Sequence, residues 1–263
     1  MNHRIPDSIY PLLQTYLDQL DQHLPDFAQA VYLHGSIALD AFDDQRSDID
    51  FITVINRTAT ADDVQKLSTI HKTIAAQYPR WLFEGSYLQA ADLGQAESAI
   101  TPHPTHHDNV LNPAGHFDTN PVTWWLLKNK GIAVWGADPQ TLPYSVDWNA
   151  LLTDMHHNMN TYWASFTYQP SRMLTLLGND GVSWAVLGVL RQYYTFQEND
   201  ITSKVAAGQY ALQHLPAEWH KLIQDALDIR EGRQPSRYVS RFTRAYATIR
   251  FLHFIIEASN APP

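Results

Sequence analysis

The sequence predicts an α+β domain over residues 1–146, followed by an all-α helical bundle over residues 147–263. Short apolar and β-branched runs, the mark of buried strands, alternate with helical patterns only as far as Pro143. Beyond it the strand signal stops, and every further apolar pattern has helical spacing. A chain of 263 residues is also long enough to build two separate cores.

Asp7 or Ser8 caps a first helix whose Ile9, Leu13, Tyr16, Leu17 and Leu20 share one face. Ala30–Leu33 reads as a short strand ending at Gly35-Ser36, and Ile49–Ile55 as a second strand rich in β-branched residues. A helix over about 61–77 follows, with Val64, Leu67, Ile70 and Ile74 inward, and Trp81–Gln89 reads as a third strand. Residues 92–120 carry prolines, histidines and small polar residues without a period, which predicts a long loop region. Val122–Lys130 reads as a helix stopped by Gly131, and Ile132–Trp135 as a short strand. In the second domain Asp147 caps a helix beginning at Trp148, and helical patterns cover about 182–197, 203–214, 217–231 and 236–258.

The 27 acidic residues outnumber the 18 basic ones, which argues against a protein that coats nucleic acid or anionic membrane. The excess lies wholly in the first domain, with 17 acids against 8 bases in residues 1–146 and 10 of each in the remainder. Five of those acids, with one arginine, fall in Asp40–Asp50. Of these, Asp40, Asp43 and Asp44 are expected to contribute to a field that draws cations. The absence of cysteine excludes disulfides, zinc fingers and a cysteine nucleophile, and fits a reducing cytoplasm. Met1–Asp7 does not read as a signal peptide, and apolar runs such as Trp184–Leu190 are too short to span a bilayer. P-loop, Rossmann and zincin motifs do not occur.

The chemistry concentrates in Leu33-His34-Gly35-Ser36, eleven further residues, and then Asp48-Ile49-Asp50-Phe51-Ile52. Strand alternation points Asp48 and Asp50 one way while Ile49 and Phe51 enter the core. Paired carboxylates repel, and a cation would offset them; magnesium takes oxygen ligands and shares them with phosphates. Gly35 permits a tight turn that exposes backbone N–H groups, and Ser36 adds a hydroxyl, so both suit phosphate oxygens. Asp-x-Asp alone is also common at solvated strand ends. Glu84, a lone carboxylate in an apolar strand, makes a third acid, and such a group is costly to bury unless paired or metal-bound.

This pattern resembles the nucleotidyltransferase superfamily, whose signature is Gly-Ser, a spacer and Asp-hydrophobic-Asp, with a further acid on a later strand. The C-terminal stretch Trp184–Tyr194, Asp200-Ile201-Thr202-Ser203-Lys204 and Ala206–Leu212 is similar to the helical domain of streptomycin/spectinomycin-type aminoglycoside adenylyltransferases. The resemblance implies a polymerase-beta-like mixed sheet in the first domain and a helical second domain that closes on nucleotide and substrate. It implies transfer of AMP from Mg-ATP to a hydroxyl of an aminoglycoside or aminocyclitol, with release of pyrophosphate. Asp48, Asp50 and Glu84 would hold two magnesium ions, with Glu84 as general base, and Gly35, Ser36, Lys204 and Arg191 would meet the nucleotide. Asp180, the nearest acid before the Arg191 helix, and Trp184 would meet a cationic acceptor. A monomer or weak dimer is expected. Arg191 has the alternative of pairing across the bundle.

Two other functions compete: nucleotidyl transfer to a protein or RNA acceptor, and a non-catalytic nucleotide-binding or antitoxin-like module. The second domain offers no broad basic surface for RNA, and retention of all three acids speaks against a degenerate module. Trp124, Trp125 and Trp163, like Trp184, suit either a sugar pocket or the core. His103, His106, His107 and Asp108 form a local cluster, read as part of a surface loop rather than a zinc or nickel site. Arg237, Arg241 and Arg244 are read as one face of a C-terminal helix, solvated or paired with neighbouring helices.

Overall fold

The structure, a computed structural model, describes residues 2–233 and 236–260. It divides into two compact units, Met1–Asp147 and Trp148–Pro263.

In the first unit, a 3-10 turn at Asp7–Ile9 leads into α1 (Tyr10–His23), which buries Leu12, Leu13, Tyr16 and Leu20. Strand β1 (Ala28–Leu33) ends in a one-turn helix, α2 (Gly35–Ala38), and β2 (Ile49–Ile55) returns antiparallel to β1. Helix α3 (Ala61–Gln77) starts from a capping box in which Thr60 and Asp63 satisfy each other's backbone N–H, and it carries the chain over to β3 (Phe83–Gln89), parallel to β2. Next come β4 (His103–His107) and β5 (Val110–Gly115), helix α4 (Pro121–Lys130) capped by the Asn120 side chain, and β6 (Ile132–Trp135). Among the described residues these strands form one mixed sheet in the order β5-β4-β3-β2-β1-β6.

Alternation along the strands gives the sheet two apolar faces. Val31, Phe51, Ile55, Phe83 and Tyr87 pack with the inward residues of α1 and α3, whereas Tyr32, Ile52, Val54 and Leu88 pack with Trp124 and Leu127 of α4. The latter face carries the acids discussed below.

The expected loop over residues 92–120 is corrected: it contains the β4–β5 hairpin. Asp108 and Asn109 form its two-residue turn, both with positive φ (50° and 59°), the conformation that favours Asp and Asn in tight hairpins. Strand β5 is an edge strand and mostly exposed, so it has no buried face to announce it in sequence.

The second unit is helical throughout its described residues: α5 (Trp148–Asn158), a π-helical turn at Met159–Trp163, α6 (Pro170–Thr175), α7 (Asn179–Glu198), α8 (Lys204–His214), α9 (His220–Arg230) and α10 (Arg241–Asn260). Its core is built on α7, whose Val182, Ala185, Val186, Leu187, Val189 and Leu190 are all buried. They pack with Ala207 and Ala211 of α8, Ile223 and Ala226 of α9, and Phe251 and Ile255 of α10.

The arginines expected to pair with neighbouring helices do so, but not from one helical face. Arg237 precedes α10 and pairs with Asp228 at 2.6 Å, while Arg244 is buried, 3.6 Å from the fully buried Asp225. These two arginines therefore serve the packing of the bundle.

Candidate active site

Three adjacent strands assemble the site. The parallel register of β2 and β3 sets Asp50 opposite Glu84, so the two side chains project side by side from one face of the sheet. They lie at the end where the apolar cover of that face, Ile52, Val54 and Leu88, gives way to polar groups. Asp48, just before β2, is exposed, whereas Asp50 is partly buried and Glu84 is only 6 % exposed.

Burial pushes the Glu84 carboxyl above the usual carboxylate range. The backbone N–H of Asp108 and the neighbouring His107 pull it back, and the Asp48 and Asp108 carboxylates push it further up. The Asp108 N–H donates to Glu84 Oε1 at 2.8 Å, which leaves Oε2 facing His107 Nε2 at 3.7 Å.

The turn after β1 meets the same acids. Gly35 has φ +58°, and a Cβ built there would fall 1.8 Å from Asp50 Oδ2. Glycine is required twice over, for the left-handed backbone and for the approach of the carboxylate. The His34 N–H donates to the Asp50 carbonyl at 3.1 Å and fastens the turn to β2. Ser36 Oγ and His34 Nε2 are buried with no hydrogen-bond partner among the described residues. A buried hydroxyl without a partner loses hydrogen-bonding free energy, and a ligand oxygen would restore it. Burial lowers the pKa of His34, which favours the neutral ring.

The histidine cluster is corrected. His103 and His106 are buried strand residues, and His106 Nδ1 lies 2.7 Å from the Phe83 carbonyl. His107 and Asp108 join Glu84. Sequence reasoning missed the contribution of both to this site because it depends on hairpin pairing; the Asp-Asn dipeptide between short runs was the available signal. His34 was also missed, although it stands immediately before Gly35-Ser36.

The field expected from Asp40, Asp43 and Asp44 is weaker than their number suggests. Asp40 pairs with Arg4 at 3.0 Å and Asp44 with Arg80 at 2.7 Å. Their charge is largely compensated locally.

In the second unit, Asp180, Trp184 and Arg191 project from related turns of α7, spaced by four and then seven residues. Asp180 is exposed in the first turn, and Trp184 is 47 % exposed, unlike the buried Trp124 and Trp163. Trp125 is half-buried. Lys204 opens α8 behind the Ser203 cap, and its Nζ lies 4.5 Å from the centre of the Trp184 ring. Arg191 Nε donates to the Thr202 carbonyl at 3.0 Å, tying α7 to the approach to α8.

The site is thus a six-stranded mixed sheet whose glycine-serine turn faces paired acids on adjacent strands. Residues 157–252 match the family model of the aminoglycoside adenylyltransferase C-terminal domain. The structure is similar to the crystal structure of spectinomycin adenyltransferase AAD(9) from Enterococcus faecialis with ATP and spectinomycin, with a TM-score of 0.72 and 14 % identity, covering 94 % of this chain and 99 % of that one. No curated protein sequence matches the chain. The family match lies within the second unit, and the structural likeness shows the fold. Among the described residues no helix is long and apolar enough to cross a membrane.

Proposed function

We propose that the protein transfers AMP from Mg-ATP to a hydroxyl of an aminoglycoside or aminocyclitol and releases pyrophosphate. The observation that carries this reading is the Asp50–Glu84 register, which puts a buried acid beside a second carboxylate facing the glycine-serine turn. The C-terminal domain match and the likeness to a spectinomycin adenyltransferase support the acceptor class.

The residues present fit magnesium: they offer carboxylate oxygens, Glu84 is under-compensated at its depth, and Ser36 Oγ lacks a partner. Asp48 and Asp50, with Glu84 adjoining, would hold two ions, which when bound neutralise triphosphate charge and polarise the α-phosphoryl group. Gly35 leaves room for the Asp50 carboxylate and for phosphate oxygens, which the Ser36 hydroxyl binds.

Glu84 is the base. With Oε1 held by the Asp108 N–H, Oε2 accepts the proton of the acceptor hydroxyl as its oxygen bonds to the α-phosphorus and the bond to pyrophosphate breaks. Desolvation, which raises its proton affinity, favours that transfer.

On the second unit we assign Lys204 and Arg191 to the nucleotide and Asp180 and Trp184 to the cationic acceptor. Lys204 stands at the start of α8 with its ammonium 4.5 Å from the centre of the Trp184 ring, so the two side chains adjoin. Arg191 also donates to the Thr202 carbonyl and so ties α7 to the entry to α8.

Incubation with α-labelled ATP, magnesium and a panel of aminoglycosides and aminocyclitols tests the reading. Label is expected on an acceptor from the panel. Label on protein or RNA alone, or nucleotide binding without turnover, would overturn it.

A further inference from the structure

The β4–β5 hairpin places an imidazole and a second carboxylate against the base, and neither is required by the transfer itself. In the β3–β4 ladder Gly85 faces His106 and Ser86 faces Thr105, and continuing that register sets His107 opposite Glu84. Asp50, Glu84 and His107 thus follow one another across β2, β3 and β4. One ligand atom from each of Glu84, His107 and Asp108 lies within 4.8 Å of the others. His107 Nε2 lies 3.7 Å from Glu84 Oε2, close to the edge of about 3.4 Å for a tetrahedral zinc site with 2.1 Å bonds, whereas Asp108 Oδ2 lies 3.4 Å from the other ring nitrogen, Nδ1, and must turn to share an ion held through Nε2.

We propose that Glu84, His107 and Asp108 form a site for a borderline divalent cation such as Zn2+ or Co2+, and that its occupation withdraws Glu84 from proton transfer. The first part stands on these three side chains alone; the effect on turnover rests on Glu84 being the base.

The site shares Glu84 with the magnesium positions, and its imidazole sets its metal preference apart from theirs. An imidazole nitrogen suits zinc and cobalt, whereas magnesium keeps to oxygen and to water. The surroundings orient the ligands as metal sites require: the Asp108 N–H fixes Glu84 Oε1 and frees Oε2, and the His107 ring rests on Phe117 with centroids 4.6 Å apart. Glu84 is buried and inadequately compensated, so a cation bound to it relieves a cost already present in the fold. Asp108 is exposed and can turn to whichever ring nitrogen binds the ion. One histidine and two carboxylates leave positions for water, so the metal would be exchangeable, as a regulatory ion must be.

The test is a titration of the full chain with Co2+ alone, followed by visible absorption, without nucleotide or acceptor. A d–d band is expected that Zn2+ abolishes and Mg2+ does not, and His107→Ala is expected to weaken Co2+ binding about tenfold or more. His107→Gln, which keeps bulk but replaces the imidazole, controls for loss of fold and is expected to weaken binding as well. A second arm measures adenylyl transfer in saturating Mg2+ with added Zn2+, where inhibition in the wild type is expected to be relieved in His107→Gln. Absence of a band, or a band indifferent to His107, overturns the site. Co2+ binding with zinc-insensitive transfer overturns its effect on turnover. If no transfer is found with any acceptor, the proposed function fails while the Co2+ result stands on its own.

Discussion

Asp50 and Glu84 are direct partners in the parallel register of β2 and β3, and Asp50 also meets Gly35 of the turn after β1. The two carboxylates and the turn are therefore positioned by the central strands of the sheet rather than by mobile loops. The register also makes the site sensitive to small changes in backbone or volume.

Gly35→Ala is the smallest such change. The new methyl would fall 1.8 Å from Asp50 Oδ2, and a left-handed backbone costs alanine about 1–2 kcal/mol. Displacing the carboxylate by about an ångström is expected to lower kcat about 100-fold, with a modest fall in Tm and weaker Mg2+ binding by calorimetry. Unchanged kcat would show that the turn and Asp50 act independently.

Burial raises the Glu84 pKa above that of an unfolded glutamate, so the folded state holds this proton more tightly. Its contribution to stability is full below the unfolded pKa and is lost as pH rises through the folded one. At neutral pH the ionised carboxylate is a burden on the fold. Glu84→Gln is therefore expected to keep or raise Tm at pH 7, and to narrow the difference from wild type near pH 4.

His71 and His106 carry the opposite sign. Their rings stack at 3.6 Å inside the first unit, and His71 Nε2 lies 2.7 Å from the Tyr87 hydroxyl. Burial holds both pKa values below the ordinary histidine value, most strongly for His71. Below about pH 6.5 the unfolded chain takes up protons that the folded chain refuses, so stability falls with acid. Thermal melts from pH 7.5 to 5 should show Tm decreasing, with a shallower slope in His71→Phe; equal slopes would remove His71 from this account.

In the bundle, Asp225 is fully buried, 3.6 Å from Arg244 and bonded to Ser236 Oγ and the Arg237 N–H through Oδ1. Asp225→Ala strands a buried guanidinium and is expected to destabilise the protein by about 3–5 kcal/mol in urea unfolding. A loss below about 1 kcal/mol would mean that water reaches Arg244 in the variant.

Much of this was legible in the residues. Ile49–Ile55 and the helix over 61–77 were readable because their buried faces have clean periods, and α3 has its capping box as well. Gly35, Asp50 and Glu84 stood out because a carboxylate in an apolar strand needs a reason. The hairpin was not legible. Pro104 and Pro113 interrupt its strands, β5 has no buried face, and the irregularity between His103 and Thr105 lets Pro104 be accommodated in β4. Misreading it as a loop hid His107 and Asp108 from the site, since their relation to Glu84 exists only through strand pairing. The pairing of Asp40 with Arg4 and Asp44 with Arg80 was equally invisible to a count of charges along the chain.

The central claim, that Glu84 is the base of an adenylyl transfer, is tested most directly by Glu84→Gln assayed with α-labelled ATP, magnesium and the acceptor identified for the wild type. The account predicts a fall in label transfer of about 100- to 10,000-fold with ATP binding largely retained by calorimetry. Transfer at the wild-type rate would contradict it.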